Sequence, residues 1–275
     1  MSLYFRKYQY FIVGGIALAA VFAAAFYFLD YRNAEDKTSG TTKDTATEIE
    51  VAPKDGGVAQ LQPQSIPPAA KAPRPYQGQP IRELNGDPKF IAAIGSALHE
   101  KYRKNLASIA DRLEKDPLNY DDWLAVAYIK KLFSNYIGAR DAWEYAKVVN
   151  PENPIAYFNL GELYGYELKE PVKAEENYKS ALRLDPHHFD YYVGLANFYD
   201  DLFNDAVKAE ATLLSALDKI PHTEVNLFSQ IGSFYASHKN YAKAAEYFEK
   251  ALSAATDPGV KKAVENELNY LRSKQ

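Results

Sequence analysis

The stretch PENPIAYFNLGELYGYELKEPVKAEENYKSALRLDP, residues 151–186, decides the fold, because its pattern is found in four copies along the chain. A proline closes each unit at Pro117, Pro151, Pro186 and Pro221, with spacings of 34, 35 and 35 residues. Eight places into each unit stands a small residue: Ala127, Gly161, Ala196, Gly232. Three places later comes Lys130, Tyr164, Tyr199 or Tyr235. In the second half an alanine recurs (Ala139, Ala174, Ala209, Ala244), followed by a bulky residue (Trp143, Tyr178, Leu213, Phe248) and another alanine (Ala146, Ala181, Ala216, Ala251). A fixed period of this length marks stacked supersecondary units. Each unit reads as two antiparallel helices. The small residue lies where they cross, the bulky one fills the hole beside it, and the proline ends the second helix because it cannot continue one.

These positions resemble the tetratricopeptide repeat (TPR) family, whose pattern W-x2-L-G-x2-Y…A-x3-F-x2-A…P is matched most fully by Tyr157, Leu160, Gly161, Tyr164, Ala174, Tyr178, Ala181 and Pro186. The resemblance implies an all-α superhelical solenoid over residues 118–256 that works as an interaction scaffold. Repeats two and three each carry one extra residue, which we expect in the turns Leu168–Pro171 and Leu202–Asp205, where insertion is cheapest.

Outward from the array, Asp87-Pro88 is a helix start, an Asx cap with proline at the first helical position. Apolar residues at Ile91, Ile94, Leu98, Tyr102, Leu106, Ile109 and Leu113 keep one stripe facing a core. The pattern predicts one long helix over 88–115, in a segment 87–117 that packs on the array, with a degenerate fifth repeat turning near Glu100–Tyr102 as the alternative. On the other side Asp257-Pro258 opens a last helix, with Val260, Val264, Leu268 and Leu271 on one face. Residues 257–275 suit the polar-backed cap that a solenoid needs.

The chain before residue 87 has a different composition. After a short tail, residues 1–9, Tyr10–Leu29 carries no charge and is long enough at about 1.5 Å per residue to cross a hydrocarbon core of roughly 30 Å. Aromatic residues flank it at Tyr4, Phe5, Tyr8, Tyr27, Phe28 and Tyr31, as at a membrane–water boundary. A signal peptide cut near Ala23-Ala24-Ala25 is the competing reading, but the apolar run continues through Leu29. The expectation is a single-pass anchor in the cell membrane, with the repeats on the extracytoplasmic side. Gly15, Ala19 and Ala23 share one face of that span, so homodimerisation through it is a minor expectation. Residues 30–86 read as a disordered linker, polar at first and then rich in proline (Pro53, Pro63, Pro67, Pro68, Pro73, Pro75, Pro80), with roughly 40 Å of reach as a flexible coil.

Composition excludes several functions. The net charge of −4, from 32 basic and 36 acidic residues, argues against a nucleic-acid partner. With no cysteine there is no disulfide and no thiolate. His187, His188 and Asp190 lack a third ligand at recognisable spacing, and no phosphate loop, nucleophile elbow or zinc-protease motif occurs. No catalytic, cofactor or metal residue is therefore assigned, and the protein is read as a non-enzyme.

The family resemblance places the partner-binding groove on the first helix of each hairpin. Carried over position by position, the groove includes Leu124, Tyr128 and Lys131, then Phe158, Glu162 and Tyr166, then Val193, Asn197, Asp200 and Asp201. Only Lys131 and Asn197 suit the carboxylate clamp found in some members, which puts a chaperone-tail ligand in doubt. Residues 151–220 hold thirteen acids against six bases. The expected partner is a protein or peptide segment with basic and aromatic side chains. The layout resembles bacterial inner-membrane TPR proteins of envelope assembly or secretion, with a permanent structural subunit of a pilus or secretion complex as the alternative.

Overall fold

The computed structural model describes residues 74–220 and 224–274. The span predicted at residues 10–29 and the linker up to residue 73 lie outside the described residues. Among the described residues no helix is long and apolar enough to cross a membrane.

Two helices lead into the array, α1 (Pro88–Ile94) and α2 (Ser96–Lys115). Asp87 caps α1 by accepting from the Lys89 amide, with Pro88 in the first turn. The single helix predicted over 88–115 is instead broken at Gly95, whose φ of +83° is open to glycine and costly for other residues. The break lets Phe90 pack edge-on against Phe133, ring centroids 5.9 Å apart. Glu100–Tyr102 lies within α2, so there is no turn there either. The buried stripe of α2 is Tyr102, Leu106, Ile109 and Leu113.

Four hairpins follow. They are α3 (Tyr120–Leu132) with α4 (Tyr136–Val149), α5 (Pro154–Glu162) with α6 (Pro171–Leu184), α7 (Phe189–Phe203) with α8 (Ala206–Ser215), and α9 (Glu224–Ser237) with α10 (Tyr241–Ala254). The last helix, α11 (Pro258–Arg272), is capped by Asp257 and buries Val264, Leu268 and Leu271. All belong to one compact unit, Pro68–Gln275. The helix crossings sit where the sequence pattern places them. A Cβ built on Gly161 would stand 2.8 Å from Cγ of Tyr178, and one on Gly232 2.8 Å from Cδ2 of Phe248. Ala127 and Ala196 are buried at the equivalent places, opposite the buried Trp143 and Leu213.

Each hairpin turns through one left-handed residue: Ser134, Lys169, Asn204 and Lys239, spaced 35 residues apart throughout. The following residue donates its amide back to the carbonyl of Lys130, Tyr164, Tyr199 or Tyr235. In repeats one and four that bond spans five residues, Asn135 to Lys130 and Asn240 to Tyr235. In repeats two and three it spans six, Glu170 to Tyr164 and Asp205 to Tyr199. The extra residue of these two repeats therefore lies in the last turn of the first helix. It is not confined to the loop. In repeat two it is absorbed as a π-turn, Leu163–Glu167, closed by the Leu168 amide on the Leu163 carbonyl at 2.9 Å.

Neighbouring repeats are joined by a recurring contact. The Tyr164 hydroxyl donates to Glu144 at 2.9 Å and the Tyr199 hydroxyl to Glu175 at 2.7 Å, each carboxylate on the preceding second helix; Tyr235 donates to Glu210 in the same way. A lysine lies over each ring: Lys173 on Tyr164, Lys208 on Tyr199 and Lys243 on Tyr235, 4.7–5.2 Å from the centroid.

The first repeat has no repeat before it, and the equivalent position is Lys130. Its side chain is fully buried, and its ammonium donates to the carbonyls of Pro80 and Glu83, both at 2.9 Å. Residues 74–86, predicted as the end of a disordered linker, thus form with Asp87 a strap over the first hairpin. Leu84 is buried, Tyr76 packs 4.6 Å from the Trp123 ring, the Gln79 amide donates to Asp141, and the Asp87 amide to the Phe133 carbonyl. Outside, Arg82 pairs with Asp111 and Glu114. The strap supplies to Lys130 what a preceding second helix supplies to the tyrosines.

Candidate functional site: the face of the first helices

The first helices α3, α5, α7 and α9 are cross-linked side by side by polar contacts on one face. From repeat one to two, Asn159 donates to the Tyr128 hydroxyl at 2.8 Å, and Lys131 pairs with Glu162 at 3.1 Å. From two to three, the Tyr166 hydroxyl donates to Asp201 at 3.2 Å. From three to four, His238 Nε2 lies 3.0 Å from Asp200. Tyr128, Asn197 and Asp201 are exposed, while Lys131, Glu162, Tyr166 and Asp200 are half-buried in the row. The π-turn of repeat two falls inside this row and carries Tyr166.

The ten predicted groove residues thus separate into two sets. Seven stand in or beside the polar row: Tyr128, Lys131, Glu162, Tyr166, Asn197, Asp200 and Asp201. Leu124 is instead buried in the core, and Val193 is packed against it. Phe158 is packed against the core as well, its ring 4.9 Å from Tyr191 and 5.7 Å edge-on from Tyr178. A Cβ on Gly194 would meet Phe158 at 2.5 Å, so this ring fills the junction between α5 and α7. Along the family's groove positions five carboxylates (Asp121, Glu162, Asp190, Asp200, Asp201) stand against one ammonium, Lys131.

Beneath the row lie residues that the family's groove positions did not indicate. Tyr178 and Trp143 come from the second helices, pass under the crossings and are fully buried. Among the described residues, neither the Tyr178 hydroxyl nor the Trp143 Nε1 has a hydrogen-bond partner. Burial pushes the Tyr178 phenol far above its ordinary range, and the charges of Glu162 and Asp201 push it further. The only sequence signal for this was a tyrosine at a bulky position otherwise held by Trp, Leu and Phe.

Among the described residues no group of three or more His, Asp or Glu side chains is placed to hold a metal. His188 stacks on Tyr191 at 4.1 Å, and His187 pairs with the Lys219 carbonyl.

A stack of helical hairpins with a polar row along the first helices defines an interaction scaffold. Residues 155–188 and 225–258 match the family described as Tetratricopeptide repeat. No match is found among curated proteins. Similar solved structures include MamA, at 20% identity and TM-score 0.46, covering 57% of this chain and 91% of that one. PilW, described as a widely conserved type IV pilus biogenesis factor, is 20% identical with TM-score 0.45, covering 63% and 87%. YrrB, described as a TPR protein with an unusual peptide-binding site, is 19% identical with TM-score 0.43, covering 62% and 86%.

Proposed function

We propose that this protein is a non-enzymatic, membrane-anchored adaptor that holds a segment of a partner protein against the face of its first helices, in envelope assembly or secretion. The row of polar side chains shared between consecutive first helices carries the reading. These side chains stay partly open to solvent while their positions are fixed by cross-repeat bonds, which lowers the cost of ordering them on binding. Tyr10–Leu29 would anchor the protein, and the repeats would stand on the extracytoplasmic side.

A second reading rests on Ile137, Val172 and Val207. They recur at 35-residue spacing on the second helices and are 40%, 71% and 77% exposed. Exposed aliphatic residues in register suit a permanent structural subunit that packs through the opposite face. Photo-crosslinkers placed in the full-length membrane protein at Asn197 and Ser233, and separately at Val172 and Val207, decide between the two. The adaptor reading expects one discrete adduct from the first pair. Adducts from the second pair alone would replace it with the subunit reading.

A further inference from the structure

The strap and α1 form one arm, residues 74–94, joined to α2 through Gly95. Gly95 has φ +83° and ψ 153°, a region that only glycine adopts at low cost. Nothing lies within 4 Å of a Cβ built there, so no neighbour crowds the chain into this break. The sequence on either side favours a continuous helix. Ile91, Ile94, Leu98 and Tyr102 carry one stripe at helical spacing across the glycine. α1 buries no residue, Leu98 stays exposed, and no side chain caps α2. Straightening would pair the amides of Ser96, Ala97 and Leu98 with the carbonyls of Ala92, Ala93 and Ile94. What holds the break is the seat of the arm on the first hairpin. There the Asp87 amide donates to the Phe133 carbonyl, Phe90 packs on Phe133, and the strap meets Lys130 and Asp141.

We infer that this arm is exchangeable, and that its seat on α2 and the first hairpin also takes the arm of a second copy of this chain. Once the helix straightens, the arm can no longer reach its own seat. Phe133 lies against His99 and Tyr102, with ring centroids 5.7 and 5.4 Å apart. In a continuous helix Asp87 would stand about 18 Å along the axis from His99. Neither its amide nor the nearby Phe90 ring would then meet Phe133 of the same chain. The vacated seat would expose the Trp123 and Tyr145 rings and strip the Lys130 ammonium of its two carbonyls. The arm of a second copy brings every group that this seat recognises. These are Tyr76 for the two rings, the Pro80 and Glu83 carbonyls for Lys130, Arg82 for Asp111 and Glu114, and the apolar Leu84. An exchanged pair therefore recovers the contacts of the closed form and adds the helical bonds that the break forgoes. Exchange of an identical element between protomers is a low-cost route to a dimer. The inference does not depend on which face of the repeats holds a partner.

The chain has no cysteine, so introduced cysteines are the only thiols. Arg82 meets Asp111 across the seat, and both side chains are exposed. Two full-length chains, one with Arg82→Cys and the other with Asp111→Cys, are co-expressed, solubilised in detergent and treated with a short bismaleimide. A cross-linked 82–111 peptide then forms when the arm of one chain sits on the other. Leu84→Lys, which puts a charge at a buried position of the strap, is added to the first chain to measure chance collisions. We expect the 82–111 product with the native Leu84 and Gly95 to stand well above the Leu84→Lys level. Gly95→Ala in both chains should raise it by about tenfold or more, because alanine is disfavoured at this backbone conformation and favoured within a helix. One chain carrying both cysteines should lose its internal link in parallel. A product no higher than with Leu84→Lys would overturn the exchange, and this comparison holds whether or not Gly95→Ala folds. An unchanged product with a retained internal link in folded Gly95→Ala would overturn it as well. Loss of both links in that variant would overturn the second copy as occupant of the seat.

Discussion

Replacing Lys130 by methionine should release the strap without dismantling the repeats. Methionine keeps an unbranched chain in the space of the lysine stem but removes the ammonium that donates to the Pro80 and Glu83 carbonyls. Hydrogen bonds from a charged donor contribute about 1.5–3 kcal/mol each. Against this, burial lowers the Lys130 pKa, meaning that the charge is itself costly in this site, and methionine removes that cost. The net loss expected is about 1–3 kcal/mol, or roughly 5- to 150-fold in the opening equilibrium of the strap. The loss should be local. Amide exchange at Gln79 and Asp87, which donate to Asp141 and to the Phe133 carbonyl, should accelerate by that factor, and trypsin should cut after Arg82. Exchange within α5–α10 should hardly change. Arg82→Ala is the control, because its pairs with Asp111 and Glu114 are largely exposed and such pairs add at most about 1 kcal/mol. Unchanged protection at residues 79–87 in Lys130→Met would refute the reasoning, and would mean that Tyr76 and Leu84 hold the strap by themselves.

Three further outcomes follow from the packing. Gly161→Ala puts a methyl 2.8 Å from the Tyr178 ring and should cost about 1–3 kcal/mol, read as a lower Tm in thermal unfolding by circular dichroism; an unchanged Tm would mean that the crossing is looser than described. Phe158→Ala should lower the Tm by itself, because its ring fills the α5–α7 junction; about 3 kcal/mol or more is expected for a buried ring and somewhat less for this half-buried one. Alkaline pH should unfold the domain. Burial raises Tyr120, Tyr164, Tyr178 and Tyr199 in the folded state and carries Tyr191 to about 12, so the unfolded chain loses these protons first and stability falls as pH rises above about 10. Tyrosinate absorbance should then rise together with the loss of helix, and a smooth titration completed in folded protein would contradict this.

The repeat core was legible because its signals are steric. A proline cannot continue a helix, and a glycine or alanine is required where Tyr178, Phe248, Trp143 or Leu213 crosses. The hairpin turns were harder to read. The left-handed residues Ser134, Lys169, Asn204 and Lys239 are not glycines, so nothing marked them, and the extra residue of repeat two was expected in the loop when it forms a π-turn in the first helix. The strap has no periodicity to read, since an irregular segment buries isolated side chains such as Leu84. Its trace in the sequence was indirect, a lysine at a position that is tyrosine in the other three repeats. At the candidate site, family positions indicated which helix faces solvent but not how deeply each residue sits. Leu124 and Phe158 hold such positions and yet pack inward, Phe158 because the neighbouring first helix approaches across Gly194. The polar floor at Tyr178 could not be inferred from one hairpin, since it is made by two.

The most direct test of the adaptor reading is crosslinking from the first-helix face in the native membrane, repeated with Asp201→Asn. The account predicts a discrete adduct from Asn197 that weakens when the Asp201 charge is removed, while the circular dichroism melt stays unchanged. Adducts from Val172 and Val207 only, indifferent to Asp201→Asn, would contradict it.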